Sequence, residues 1–387
     1  MTTHDDALST KLLDAAGSMP GIRRDEADKA VLVAVLTALL GIGAVMVYST
    51  MTRGDQSLLG WQFVRQILYM IVGACMAVIL AKIDYRFLIR YHRVLLIASL
   101  VLLVLVLVPG VGARINGARR WFRIGTISFQ PSEMAKFAVV IFLAGYIAQK
   151  RDQIREFKIG LLPALCVVGV TCALVVKEPD LGTTALIAAV SWVMLFIGGA
   201  RLIYVVVLPI IASPAALLVL HHFPHAWKRV VFWLHPELAP KGAGYHVIQS
   251  LIAVGSGGIS GVGMGASSQK LMFLPESSSD FVFAILAEEM GLFGVSIVIA
   301  LYLAFILVGV TIARRASDMG GRLLAAGITS IVAIQAVINI CVVTQVLPTK
   351  GIALPFISAG GSAVVFMIAG TGILYSVAAH RDPSADN

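Results

Sequence analysis

Residues 281–313 read FVFAILAEEMGLFGVSIVIALYLAFILVGVTIA. About 20 predominantly apolar residues suffice to cross the hydrocarbon core of a bilayer as a helix. This run is longer and carries only two charges, Glu288 and Glu289, both near its start. Carboxylates are too costly to face lipid, so the first part of the helix must face protein or a wet cavity. Working outward, nine more runs have the same character: 29–50, 62–82, 94–109, 131–149, 159–176, 180–199, 202–221, 322–346 and 363–379. The third, at 94–109, is short. The expectation is an all-α, polytopic membrane protein with about ten transmembrane helices.

Composition agrees. Of the 387 residues 58% are hydrophobic and 13% charged, roughly half the ~25% charge of soluble domains. The mean hydropathy is +0.90. A soluble enzyme is excluded on these grounds, and so is disorder, which needs low hydrophobicity and high charge. The formal net charge of +9 suits anionic lipid or an anionic substrate at least as well as nucleic acid. Cys75, Cys166, Cys172 and Cys341 lie in apolar runs with no metal-ligand spacing, so they read as buried small hydrophobes.

The Lys/Arg bias of the short loops places the N-terminus inside. Residues 1–28 are polar and mixed in charge, and read as a cytoplasmic tail rather than a signal peptide. Residues 29–379 form the membrane domain, and 380–387 a second short cytoplasmic tail. Residues 222–280 then become a long extracytoplasmic loop between helices seven and eight. Loops of that length are commonly functional. Arg114, Arg119, Arg120 and Arg123 crowd one outer loop, and as a group they suggest a surface that meets an anion.

Several motifs could carry chemistry. The glycine run 255–265 lacks the strand, lysine and Ser/Thr of a phosphate-binding loop, so it reads as a turn or re-entrant segment with close backbone packing. His221, His222 and His225 cluster, but Pro224 breaks their helical spacing and no carboxylate or cysteine stands beside them. In Gln130-Pro-Ser-Glu-Met-Ala-Lys136, Pro131 fits a first helical position. Glu133 and Lys136 then share a helical face and can pair, either to pin helix four or to wall a wet cavity. Asp180, in Lys177-Glu-Pro-Asp-Leu-Gly182, complements the start of helix six. Asp280 ends the long loop, in Leu274-Pro-Glu-Ser-Ser-Ser-Asp280. It is either an N-cap or a carboxylate held at the lipid–water boundary, able to take a proton. Glu288 lies two turns deeper, roughly 12 Å along the helix, too far to act on the same atom. The stretch Leu347-Pro-Thr-Lys350-Gly-Ile-Ala-Leu-Pro355-Phe-Ile-Ser358-Ala-Gly-Gly-Ser362 suggests broken, re-entrant backbone, tolerated only under a cover of protein or water. Its N–H groups, with Lys350 and Ser358, could hold a phosphate.

Six segments, in order along residues 30–380, resemble the SEDS family (FtsW, RodA and SpoVE): Asn116-Gly-Ala-Arg-Arg-Trp121, Gln130-Pro-Ser-Glu-Met-Ala-Lys136, Glu178-Pro-Asp-Leu-Gly182, Leu274-Pro-Glu-Ser-Ser-Ser-Asp280-Phe, Ala287-Glu-Glu-Met-Gly291 and the 348–362 stretch. Within the family, Pro348-Thr-Lys-Gly351 is similar to the division type. Ala359, where Tyr is usual, and Ser277–Ser279, where His-Thr often precedes the aspartate, depart from the pattern.

The resemblance implies a peptidoglycan glycosyltransferase that polymerises lipid II at the outer face of the cytoplasmic membrane, at the division septum. It implies a class B penicillin-binding protein and other divisome proteins as partners, with membrane lipid but no nucleic acid. By position, Asp280 resembles the family's essential aspartate, Glu133 and Lys136 its paired residues, and Lys350 its division-type lysine. The chemistry needs a base for the acceptor hydroxyl, which Asp280 suits, since a carboxylate with an ordinary pKa of about 3.9 is ionised at neutral pH. It also needs cations for the leaving polyprenyl pyrophosphate, for which Lys350, Arg119, Arg120, Arg123 and Lys136 are candidates, with Glu133 and Ser358 beside them. A divalent cation such as Mg2+ could contribute, although no ligand set demands one. Rival readings are a lipid II flippase, an elongation-type RodA polymerase, and a non-catalytic scaffold for division proteins.

Overall fold

The computed structural model describes residues 24–51, 56–115, 117–125, 127–235, 243–269, 279–349 and 351–380. Most of both expected tails lies outside these residues, although the first described helix begins at Arg24, inside the stretch read as tail.

The helices are α1 (Arg24–Met51), α2 (Gln56–Lys82), the short α3 (Tyr85–Arg90), α4 (His92–Leu107), α5 (Pro131–Gln149), α6 (Leu162–Lys177), α7 (Leu181–Ile197), α8 (Leu202–His222), α9 (Pro224–Leu234), α10 (Ala243–Ser256), α11 (Val282–Arg314), α12 (Met319–Val343) and α13 (Ser362–Ala379). Eight of them, α6 with the turn before it, are long and apolar enough to cross a membrane, and α4 and α7 are shorter apolar helices. The ten match the ten runs of the sequence one for one. At 16 and 17 residues, α4 and α7 reach only about 25 Å, short of a ~30 Å core.

Burial sorts the helices. The most apolar window of α5 is 89% buried, that of α13 78% and that of α12 56%, while that of α8 is 0% buried. The inner three form the centre of the bundle and the others pack around them. Lipid tails are as apolar as leucine, so this order is held by close packing and by polar bonds between helices. At one end Tyr85 Oη donates to Asp318 Oδ2 at 3.0 Å, and Arg315 pairs with Asp28 at 2.9 Å. Asp318 also caps α12, accepting from Gly321 N.

Three of the connecting segments have structure of their own, and the first of them, at the opposite end, lines the site. The arginine-rich loop is a three-stranded antiparallel sheet, β1 (Ala113–Ile115), β2 (Ala118–Ile124) and β3 (Ile127–Phe129). The all-α expectation omitted it. Arg114 faces Arg119 across the first pair and Arg123 faces Ser128 across the second. Next, the long 222–280 connection is largely helical where described, as α9 and α10. Third, the glycine run packs against a kink in α11 at Gly291, where φ is 62°. The kink exposes backbone groups that the run satisfies: Leu292 N donates to Gly258 O at 2.9 Å and Val262 N to Glu288 O at 3.0 Å. A Cβ on Gly261 would lie 2.2 Å from Glu289 O, so the close packing expected there requires glycine.

The cysteines correct the sequence reading. Cys75 and Cys166 are exposed on outward faces, and Cys172 and Cys341 are half-buried. In lipid an outward thiol behaves as the small hydrophobe it resembles, and burial is not needed.

Candidate active site

At the sheet end a cavity of about 590 Å³ opens between the inner helices and the sheet. That is ample for a small-molecule ligand. Its walls carry Arg65, Gln66 and Tyr69 from α2, Arg120, Trp121 and Arg123 from β2, and Glu133 and Lys136 from α5. Asp180, Asp280, Gln335, Gly351–Ala353 and Ala359–Gly361 also line it. Four cations and three carboxylates thus share one wall set.

Helix α5 starts with Gln130 in extended backbone and Pro131 in the first turn, so Glu133 and Lys136 both point to the cavity. Lys136 Nζ lies 2.8 Å from Glu133 Oε2 and donates to Gln335 Oε1 at 3.2 Å. Both members are buried. Such a pair repays its desolvation only when further hydrogen bonds complete it, as Gln335 does here.

Asp180 is the N-cap expected of it, accepting from Thr183 N at 3.0 Å. It also accepts from Gln130 Nε2 at 3.1 Å and so ties α7 to the start of α5. The Glu178–Pro179 backbone immediately before it holds Arg120, whose Nε donates to Glu178 O at 2.6 Å and whose Nη2 donates to Pro179 O at 2.5 Å. Burial pushes the Glu178 carboxyl up to about 8; the Asp180 charge adds to this and Arg120 opposes it.

Asp280 lies just before α11. The capping position is Phe281 rather than Asp280, and Asp280 lines the cavity. Its main chain is fixed by Asn339 Nδ2, which donates to Asp280 O at 2.9 Å and to Ile352 O at 2.7 Å. The following loop, from Gly351 to Gly361, threads the bundle as the re-entrant backbone expected. Buried side chains satisfy its carbonyls: Gln335 Nε2 donates to Ala353 O at 2.8 Å and Tyr302 Oη to Pro355 O at 2.5 Å. Gly351 sits against the carboxylate, and a Cβ there would lie 3.0 Å from Asp280 Oδ2.

Five of the eight site residues expected from sequence therefore meet in one cavity: Asp280, Glu133, Lys136, Arg120 and Arg123. Two do not. Arg119 stands off the cavity, its Nη1 donating to Leu107 O at 3.5 Å. Ser358 is fully buried; its Oγ donates to Ser279 O and accepts from Leu354 N at 2.8 Å. It braces the backbone beside Asp280 and has no surface to offer a phosphate. The eighth, Lys350, lies outside the described residues. Among the described residues no group of three or more His, Cys, Asp or Glu side chains could hold a metal ion.

The sequence reading missed Arg65, Gln66, Tyr69 and Gln335. Arg65 left a signal, as an arginine inside an otherwise apolar span. Glu288 and Glu289 are buried, as the run itself required, but away from this cavity. Glu288 accepts from Ser267 Oγ and from Ser268 N at 3.0 Å, and Glu289 accepts from Ser49 Oγ at 2.6 Å.

This fold and site define a polytopic membrane protein with a charged cavity at one end of its bundle. Residues 29–383 match the family model of FtsW, RodA and SpoVE, described as cell cycle proteins. The chain belongs to that family. It is 40% identical over 352 residues to a probable peptidoglycan glycosyltransferase FtsW of Trichlorobacter lovleyi, covering 90% of this chain and 92% of that one. It is 39% identical over 351 residues to stage V sporulation protein E of Bacillus subtilis, covering 89% and 95%. Among solved structures it resembles a chain of a peptidoglycan synthase complex that coordinates polymerization and crosslinking, with a TM-score of 0.75, 28% identity and coverage of 91% and 98%. It also resembles the rod shape determining protein RodA of Thermus thermophilus, with a TM-score of 0.67, 27% identity and coverage of 90% and 96%.

Proposed function

We propose that this chain is a peptidoglycan glycosyltransferase that polymerises lipid II, with both termini in the cytoplasm and its cavity at the outer face of the cytoplasmic membrane. The site of action is the division septum, and the working partner a class B penicillin-binding protein alongside other divisome proteins. One observation carries the reading: a carboxylate, Asp280, shares a cavity with Arg65, Arg120, Arg123 and Lys136. That is the pairing of base and cations that glycosyl transfer from a pyrophosphate donor requires. The relatives' names and the coordinated synthase complex support the same reaction and the same kind of partner.

In the reaction a sugar hydroxyl of one lipid-linked chain attacks the anomeric carbon of the other. The new C–O bond forms as the anomeric carbon–phosphate oxygen bond breaks. Asp280 takes the hydroxyl proton, and the pyrophosphate leaves with the bonding electrons. Arg120, Arg123 and Arg65 balance its growing negative charge. Lys136 contributes less, because Glu133 already compensates it. Lys350 immediately precedes the cavity-lining Gly351 in sequence and belongs to the same proposed cation set.

The test supplies lipid II as sole sugar source to the purified chain and its partner in detergent. Glycan strands on a gel are the expected result. Detergent offers no second compartment, so a lipid flippase would make none, and their absence with an active partner complex would overturn the reading.

A further inference from the structure

The cavity cations are held in two different ways. Lys136 is compensated by the Glu133 carboxylate at 2.8 Å. Arg120 is held by two backbone carbonyls, at 2.6 and 2.5 Å, in the turn between α6 and α7. Carbonyls orient a guanidinium without cancelling its charge, so Arg120 keeps that charge for an anionic ligand. The side chain belonging to the first of those carbonyls is the anomaly. Glu178 is 0% exposed, and neither carboxyl oxygen has a hydrogen-bond partner among the described residues. The charged groups facing it are Arg120, from β2, and Asp180, at the start of α7. Lys177, its neighbour in the chain, is exposed.

We propose that Glu178, as the neutral acid, is a positioning residue that leaves Arg120 facing the cavity, and that its ionisation turns Arg120 inward and weakens pyrophosphate binding. The idea rests on the reading of the cavity as a pyrophosphate site. An ionised carboxylate in that place would be buried, unpaired and beside Asp180, which is costly. The nearest relief is the Arg120 guanidinium already lying on the turn. The new ion pair would compete with any anion in the cavity. With the carboxyl titrating at about 8, the neutral form falls from about nine-tenths at pH 7 to about one-tenth at pH 9, and apparent affinity follows that fraction, about tenfold.

The experiment uses the full chain in lipid nanodiscs and measures binding of farnesyl pyrophosphate from pH 6.5 to pH 9.5. Comparing variants at each pH cancels the probe's own titration. The wild type is expected to lose about tenfold in affinity between pH 7 and pH 9 relative to Glu178→Gln, whose profile is flat. Arg120→Gln binds weakly throughout and also lacks the alkaline fall. A protonated-carboxyl infrared band, lost above pH 8 in the wild type and absent from Glu178→Gln, identifies the group. Glu178→Met serves as a second neutral variant should the Gln protein fail to fold. If the neutral variants keep the wild-type alkaline fall while Arg120→Gln binds weakly, the proposal is wrong and the pyrophosphate reading stands. If Arg120→Gln binds as the wild type does, the pyrophosphate reading of Arg120 fails. A purely structural role for Glu178 would shift affinity equally at all pH values, and that result also overturns the proposal.

Discussion

Asp280 and Glu288 stand eight residues apart at the head of one helix, and their surroundings differ in kind. Asp280 is half-exposed to a cavity that holds four cations. Glu288 is buried at the kink of α11, its oxygens taken by Ser267 and Ser268, and Glu289 beside it takes Ser49. The first carboxylate lines the cavity in which the proposed chemistry takes place. The other two make bonds that tie α1 and the glycine turn to α11. Acidity inside a membrane protein is therefore no sign of chemistry by itself. What distinguishes the two uses is place: Asp280 lines a cavity with cations in its walls, while Glu288 and Glu289 are held by hydroxyl and amide donors inside the packing.

The sharpest way to break this contrast is to neutralise both acids separately. Asp280→Asn should lower polymerisation by about 10²- to 10⁴-fold, the worth of a general base, with an unchanged melting temperature. Next in size is the buried pair. Lys136→Met leaves Glu133 charged and alone, and should destabilise the protein by about 3–5 kcal/mol in a thermal-unfolding assay. Adding Glu133→Gln to it should restore most of that loss, because two uncharged partners carry no orphaned ion. Glu289→Gln comes next: it keeps an acceptor for Ser49 but not a charged one, and should cost about 1–2 kcal/mol of stability with polymerisation intact. The smallest expected effect is on rate. Gly351→Ala presses a methyl group on Asp280 and should slow turnover on the order of tenfold, with KM little changed.

The spans were legible because lipid demands long apolar runs and leaves no other explanation for them. The Glu133–Lys136 pair was legible from helical spacing, and the Asp180 cap from its place before a span. Other features left weaker traces. The sheet is made of strands of three, seven and three residues, too short for an alternating pattern to stand out among arginines. Arg65 was visible as a lone charge but had no neighbouring motif to draw attention to it. Ser358 looked like a phosphate ligand because a hydroxyl in a glycine-rich loop has that chemistry; only packing shows that the loop's own backbone uses it. The carbonyl clamp on Arg120 had no signature, since every residue carries a carbonyl.

The central claim is that Asp280, and not the acids at the kink, carries the chemistry. The direct measurement is the rate of glycan formation from lipid II by Asp280→Asn and Glu288→Gln proteins, purified alike with the same partner and shown to bind lipid II equally. The account predicts a rate lowered by about 10²- to 10⁴-fold from the first and a rate within about tenfold of the wild type from the second. Strands from Asp280→Asn at the wild-type rate, or their loss only in Glu288→Gln, would contradict it.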